Sequence, residues 1–159
     1  MSTPNLTHIL TQAVDTLSEQ QSLNGLFHQH RDGNPLPSGK ALEEVIGLSR
    51  AILFPGFYGK SSVNIRTIRY HIGVNVERLH KLLSDQILAG LCFCKTCEDE
   101  SYQELSEKRD KAEHLAAELI SRLPKIRKTL ATDVVAAYNG DPAAESYGEI
   151  ISCYPVIKA

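Results

Sequence analysis

The sequence predicts an all-α fold, a multi-helix bundle. Apolar residues recur at intervals of three and four in segment after segment, and no alternating stretch is bounded as a hairpin would be. The chain has 159 residues, 42% of them hydrophobic, which is enough to bury a core. Its net charge of -2, with both signs interspersed, argues against nucleic acid or an anionic membrane as a partner.

The first two predicted helices flank a loop rich in proline and glycine. Thr3 and Pro4 begin the first helix, which we expect to continue through Phe27. Its apolar stripe consists of Leu6, Ile9, Leu10, Ala13, Val14, Leu17, Leu23 and Leu26. The loop "RDGNPLPSGK" ends this helix, and the apolar loop "FPGFYGKSS" ends a short second one. The stripe of the second helix consists of Leu42, Val45, Ile46 and Ile52.

Three further helices are predicted from the same apolar period. The first ends in "LCFCKTC", and its stripe consists of Ile65, Ile68, Ile72, Val76, Leu79, Leu83 and Ile87. The second has many charged residues that pair at helical spacing, and its stripe consists of Leu105, Ala112, Leu115, Ala116, Leu119 and Ile120. Because Pro124 has no amide hydrogen, we expect this helix to break or restart there. The stripe of the third consists of Ile126, Leu130, Val134 and Tyr138.

The last residues, "NGDPAAESYGEIISCYPVIKA", predict the end of one helix and the beginning of another. We expect Gly140 to close the preceding helix in the left-handed conformation, Asp141 to cap the next helix and Pro142 to occupy its first turn. The apolar residues of that helix are Ile150, Ile151, Tyr154 and Ile157. The chain ends without a closing glycine or a basic last turn, so it looks cut. We therefore predict a helical N-terminal domain over residues 1–139 and the start of a connecting helix over residues 140–159.

The sequence has no pattern that directs the chain into a membrane or out of the cell. No apolar run approaches the roughly 20 residues that span a bilayer, and "MSTPNLTHIL" lacks the charged-then-apolar order of a secretory signal. The four cysteines are too few and too clustered for a disulfide scaffold. We therefore expect a cytoplasmic protein with reduced thiols.

The segment "CFCKTC" suggests a metal site, because Cys92, Cys94 and Cys97 offer three thiolates. A structural zinc site needs four ligands in paired short spacings, and neither Cys153 nor His114 completes such a pair. We therefore expect no metal here, and thiols at the end of a helix instead.

Two other patterns are set aside on their spacing. "GFYGKSS" resembles a nucleotide phosphate loop, but Phe54 stands where the loop needs its first glycine, and no strand precedes it. His28 and His30 could share a metal only on an extended segment, and we interpret them as a polar helix end. No serine or cysteine lies in a nucleophile motif. The residues alone therefore identify no catalytic site.

The stretch "TDVVAAYNGDPAAESYGEIISCYPVIKA" resembles serine O-acetyltransferases at the junction between their N-terminal helical domain and their acyltransferase domain. The match centres on Asp141, Pro142 and Ala143. In that family an Asp-Pro-Ala follows a helix with an aspartate and small apolar residues, and a tyrosine lies about a turn later. The corresponding residues here are Asp133, Val134, Ala136, Ala137 and Tyr147. "GLSRAILFPGFYG" and "LHKLLSDQILAGL" resemble the longer N-terminal domain of one bacterial branch, whereas Gly140 stands where many members have a basic residue.

The resemblance implies that this chain is the front half of a longer enzyme. In the family, the helix that begins at the Asp-Pro-Ala continues into a left-handed parallel β-helix of hexapeptide repeats, which this chain lacks. The catalytic histidine and the acetyl-CoA groove belong to the β-helix, so the resemblance implies no catalytic residue here and no activity of this chain alone. It also implies a homo-oligomer, a trimer or a dimer of trimers, with contacts made by the N-terminal domain. Cysteine synthase, bound through the C-terminus of the longer enzyme, is a further candidate partner.

The implied reaction is acetyl transfer from acetyl-CoA to L-serine, which gives O-acetylserine for cysteine biosynthesis. Acetyl-CoA is the co-substrate of the longer enzyme, and we expect no cofactor on this chain. The resemblance implies that Asp141, Pro142 and Ala143 contribute to the serine pocket, where feedback-inhibiting cysteine also binds. The residues alone favour a helix cap for Asp141, and the resemblance favours substrate contact. A non-catalytic helical oligomerisation or interaction module remains the alternative function.

Overall fold

The computed structural model describes residues 5–27, 35–59, 62–93 and 101–158. Within these ranges the chain forms helices and no strand, so the predicted all-α fold is confirmed. The helices are α1 (Leu6–Ser18), α2 (Gln20–Leu23), α3 (Gly39–Leu53), α4 (Ile68–Phe93), α5 (Tyr102–Gly140), α6 (Tyr147–Cys153) and α7 (Pro155–Lys158). Some residues of the sequence-based predictions lie outside these ranges, namely Thr3, Pro4, His28, His30, Lys60, Ser61, Cys94 and Cys97.

The bundle is built around α4, which packs along both α3 and α5. Its central cluster joins buried residues of all three helices, namely Val45, Leu48, Ile52, Leu79 and Leu123. A second cluster, of Leu88, Cys92 and Ala112, continues the α4–α5 contact. Four of these eight buried residues belong to the predicted apolar stripes, namely Val45, Ile52, Leu79 and Ala112. A helix that presents one apolar face gains most free energy by burying it against another such face. The predicted stripes did not include the other four, namely Leu48, Leu88, Cys92 and Leu123. Within the described ranges no helix is long and apolar enough to cross a membrane.

A third cluster, here called the C-terminal cluster, holds the last residues of the chain against the bundle. Its buried members are Val134 of α5 and Ile150 and Ile151 of α6. Partly buried side chains around them include Phe54, Tyr58, Ala137, Tyr138, Ala144, Tyr154 and Ile157. The predicted stripe of Ile150, Ile151, Tyr154 and Ile157 therefore does form one packed face, although Pro155 divides it between α6 and α7.

The predicted break at Pro124 is wrong, because α5 runs without interruption from Tyr102 to Gly140. A proline inside a helix costs about 3 kcal/mol, since it removes a hydrogen bond and crowds the preceding turn. Before the proline, Leu123 is buried in the central cluster. After it, the Arg127 guanidinium donates a hydrogen bond to the carbonyl of Ile52, and Val134 is buried in the C-terminal cluster. Tertiary contacts therefore hold the helix on both sides of the proline. The helix also begins with a capping box, in which Ser101 and Glu104 satisfy each other's backbone amides.

The predicted helix boundaries near both ends of the described chain also need correction. The first helix does not continue through Phe27, since α1 ends at Ser18 and a turn follows the short α2 at Gly25, whose φ is 73°. Gly140 is not left-handed and remains the last residue of α5. The next helix begins at Tyr147 with Ser146 as its cap, not at Pro142.

The apolar face of α1 is the one predicted stripe that the described chain does not bury. None of the residues of α1 is buried, and its main contact is with α2. The exposed apolar side chains of this face are Leu6, Ile9, Leu10, Val14 and Leu17. Exposed apolar faces of this kind are typical of interaction surfaces.

Candidate functional site

The predicted site residues lie in a tight turn between α5 and α6. Asp141 has an extended backbone, with φ -116° and ψ 105°, and is the C-cap that follows α5. One of its carboxylate oxygens, Oδ1, accepts a hydrogen bond of 2.9 Å from the amide of Ala143, and its carbonyl accepts one of 3.1 Å from the amide of Ala144. Pro142 occupies the second position of this turn, where a fixed φ is favourable. Asp141 therefore stabilises the turn, and the prediction that it caps the next helix is wrong.

The other carboxylate oxygen of Asp141 has a partner that is distant in sequence. Oδ2 accepts a hydrogen bond from the hydroxyl of Tyr154, the C-cap residue that follows α6. Both residues are half-buried, and the Tyr154 ring belongs to the C-terminal cluster. The turn after α5 and the end of α6 are therefore joined through one carboxylate.

These contacts fix the charge of the site. The Tyr154 hydroxyl, and after it the Ala143 amide, hold the pKa of the Asp141 carboxyl below its usual value. The hydrogen bond to Asp141 in turn raises the pKa of Tyr154 to about 12. At neutral pH the pair is thus a carboxylate and a neutral phenol. No basic side chain among the described residues forms an ion pair with Asp141, so its negative charge is not neutralised by this part of the chain.

The loop after α3 also contacts α6. The Tyr58 hydroxyl donates a hydrogen bond of 2.7 Å to the carbonyl of Ile151. The ring of Phe57 lies so close to Gly148 that a Cβ there would meet it at 3.4 Å. The loop can turn back in this way because Gly56 and Gly59 adopt φ values of 91° and 101°. Elements that are far apart in sequence thus position the short helix that carries Tyr154.

The structure brings together only some of the residues that the sequence analysis selected. Asp141 and Ala143 contact each other through side chain and backbone, and Pro142 shapes the turn between them. Asp133 is exposed on α5. Tyr147 stacks edge to face on Tyr138, with ring centroids 4.8 Å apart.

Tyr154 is the site residue that sequence reasoning missed. The apolar stripe of the last helix includes it, and the period says nothing about its hydroxyl. The available indication was the residue type, because a partly buried tyrosine hydroxyl usually finds a hydrogen-bond partner.

The cysteine segment provides no metal ligand set among the described residues. Cys92 is buried in the second cluster, Cys153 is exposed on α6, and Cys94 and Cys97 are outside the described ranges. No group of three or more candidate metal ligands occurs in residues 5–27, 35–59, 62–93 and 101–158. The expectation that "CFCKTC" holds no metal thus stays a prediction.

Comparison with known proteins supplies a relative. No family model matches the sequence. The plasmid serine acetyltransferase of Synechococcus elongatus is 34% identical over 125 residues, which cover 79% of this chain and 39% of that protein. The chain therefore matches well under half the length of its relative. This similarity identifies the chain as a homologue of a serine acetyltransferase, the family that its C-terminal stretch resembles.

Proposed function

We propose that this chain is the N-terminal helical part of a serine O-acetyltransferase, a cytoplasmic enzyme that transfers an acetyl group from acetyl-CoA to L-serine. In this proposal Asp141 binds the ammonium group of serine, and the turn through Pro142 and Ala143 forms one wall of the serine pocket. The observation that carries the proposal is the Asp141 carboxylate, which neutral donors orient and no described basic side chain neutralises.

Such a carboxylate can serve as the partner of the ammonium group of serine. The serine hydroxyl must be held against a general base and an acyl donor, so the charged end of the molecule needs a fixed partner. Each oxygen of Asp141 accepts one hydrogen bond within the chain, and a carboxylate oxygen can accept a second. Both oxygens can therefore still accept a hydrogen bond from an ammonium group. The resemblance assigns the general base and the acetyl-CoA groove to the β-helix, which would be supplied by the rest of the longer enzyme.

The test is Asp141→Asn in the extended enzyme, meaning this chain continued through the β-helix. Asparagine keeps an acceptor for the Ala143 amide and a polar partner for Tyr154, and it removes the charge. Loss of a charge-assisted hydrogen bond should lower kcat/KM for serine about ten- to hundredfold. The constant for acetyl-CoA should stay unchanged, and inhibition by cysteine should weaken in parallel, because cysteine presents the same ammonium group.

Asp110→Asn is the matched control, since it removes the same charge from an exposed position of α5. It should leave every constant at the parent value. Parent-like serine kinetics in a folded Asp141→Asn enzyme would refute the substrate role of Asp141.

A second function, assembly of copies of the chain, is compatible with the first and rests on a different observation. The apolar face of α1 is uncovered in the described chain, and Leu10 at its centre is 58% exposed. We propose that this face packs against the same face of a second copy, as an amphipathic helix does when it lacks a partner in its own chain.

Light scattering coupled to size-exclusion chromatography tests the assembly. The parent should be an oligomer, Leu10→Glu should dissociate it, and Gln12→Glu, an exposed polar position of the same helix, should not. A monomeric parent, or an oligomer that survives Leu10→Glu, would contradict this second function.

A further inference from the structure

We propose that Tyr154 is a positioning residue, whose hydroxyl holds the Asp141 carboxylate in the orientation that receives the ammonium group of the substrate. This inference rests on the function proposed above for Asp141. It adds a residue that neither the sequence motif nor the relative assigns.

The carboxylate of Asp141 is held at both of its oxygens. The last torsion of an aspartate side chain has a broad, roughly two-fold preference, so one hydrogen bond leaves the plane of the carboxylate loosely defined. Here the Ala143 amide binds Oδ1 and the Tyr154 hydroxyl binds Oδ2. Two donors on different oxygens fix both the position and the plane of the group. The first donor is two residues from Asp141 and the second is thirteen, so the restraint combines the local turn with tertiary structure.

Tyr154 is itself held in place by its backbone and its ring. Its ring packs in the C-terminal cluster, and its amide donates a hydrogen bond of 3.3 Å to the carbonyl of Ile150. Pro155 follows it, and a residue before proline is restricted to the extended region. Tyr154 has φ -74° and ψ 124°, which lies in that region. The hydroxyl is therefore presented to Asp141 by a fixed backbone and a packed ring.

The Tyr154 hydroxyl is an uncharged donor to Asp141. A lysine or arginine would orient the carboxylate equally well, but its charge would compete with the substrate for Asp141. A phenol donates a strong hydrogen bond and stays neutral, so the full negative charge remains for an ammonium group. A neutral hydrogen-bond donor therefore suits an aspartate that binds a cation better than a charged donor does.

The test uses Tyr154→Phe, which removes the hydroxyl and keeps the ring, in the extended enzyme. We expect kcat/KM for serine to fall about three- to tenfold, which is the range for loss of one orienting hydrogen bond, with the constant for acetyl-CoA unchanged. Tyr70→Phe, at a tyrosine that is 77% exposed on α4, is the matched control and should behave as the parent. Circular dichroism of each variant verifies that the fold is kept.

A double-mutant cycle separates positioning from a general structural effect. If Tyr154 acts through Asp141, Tyr154→Phe should have no further effect on serine kinetics once Asp141 is asparagine. An undiminished loss in the Asp141→Asn background would overturn the positioning role.

The two proposals also fail differently in this cycle. If Asp141→Asn lowers serine kcat/KM and Tyr154→Phe does not, the positioning role is refuted and the function proposed for Asp141 stands. If Asp141→Asn has no effect on serine, the proposed function falls and the role of Tyr154 falls with it.

Discussion

Replacement of Ile150 by alanine tests whether the C-terminal cluster holds the site segment on the bundle. Ile150 is 0% exposed and packs with Val134 of α5 and Ile151 of α6. Truncation of a buried isoleucine to alanine costs about 2–5 kcal/mol, from lost transfer free energy and the cavity that remains. Three tyrosines border this cluster, and the structure around such a cavity relaxes only partly. We therefore expect a loss of about 3 kcal/mol for Ile150→Ala.

The assay is urea unfolding followed by far-ultraviolet circular dichroism, together with hydrogen exchange of the α6 amides. Exchange is needed because α6 can open locally without unfolding the rest of the protein. Val156→Ala is the control, since Val156 is 76% exposed, and it should change stability by less than about 0.5 kcal/mol. If Ile150→Ala matches Val156→Ala in both measurements, α6 is not docked on α5 and the reasoning about the site fails.

Four further predictions concern single features of the chain. Gly56→Ala should destabilise the protein by about 1–3 kcal/mol in urea unfolding, because the φ of Gly56 is 91°. Gly90 lies inside α4 with open space where a Cβ would be added, so Gly90→Ala should stabilise the protein by up to about 1 kcal/mol. The hydrogen bond to Asp141 raises the pKa of Tyr154 from 10.0 to about 12, so its contribution to stability should be complete below pH 10 and lost as the pH rises to 12. Asp141→Asn should return the pKa of Tyr154 toward 10, as measured by carbon-13 NMR of labelled tyrosine. This chain alone should show no turnover in a thiol-release assay with acetyl-CoA and serine, and a rate comparable with that of a complete enzyme would contradict the division of roles. Metal analysis of untagged, dialysed protein should find no zinc or iron, and a stoichiometric amount would assign a site to "CFCKTC".

Much of the fold could be predicted because apolar residues at helical spacing mark the face that a helix tends to bury. Leu79 and Val45 lie on predicted stripes and in the central cluster. The predicted break at Pro124 rests on the local cost of a proline inside a helix. Tertiary packing of α5 outweighs that cost, and the spacing of apolar residues does not reveal how strong this packing is. The apolar stripe of α1 is visible in the sequence, but a stripe does not indicate whether its covering surface belongs to the same chain or to another molecule.

Part of the geometry of the candidate site could be predicted because it is local in sequence. Asp141 and Ala143 contact each other across two residues, so a sequence motif contains both. The cap predicted for Asp141 failed because Ser146, five residues later, takes that role and leaves Asp141 to the turn. Tyr154 could not be identified, since its contact with Asp141 exists only after α6 folds back on α5.

The most direct measurement of the central claim is a crystal structure of the extended enzyme with L-serine bound. We expect the serine nitrogen to lie about 2.7–3.1 Å from a carboxylate oxygen of Asp141, while the contacts of that carboxylate to Ala143 and Tyr154 remain. Serine bound with its ammonium group against other residues, and Asp141 engaged only within its own turn, would contradict this expectation.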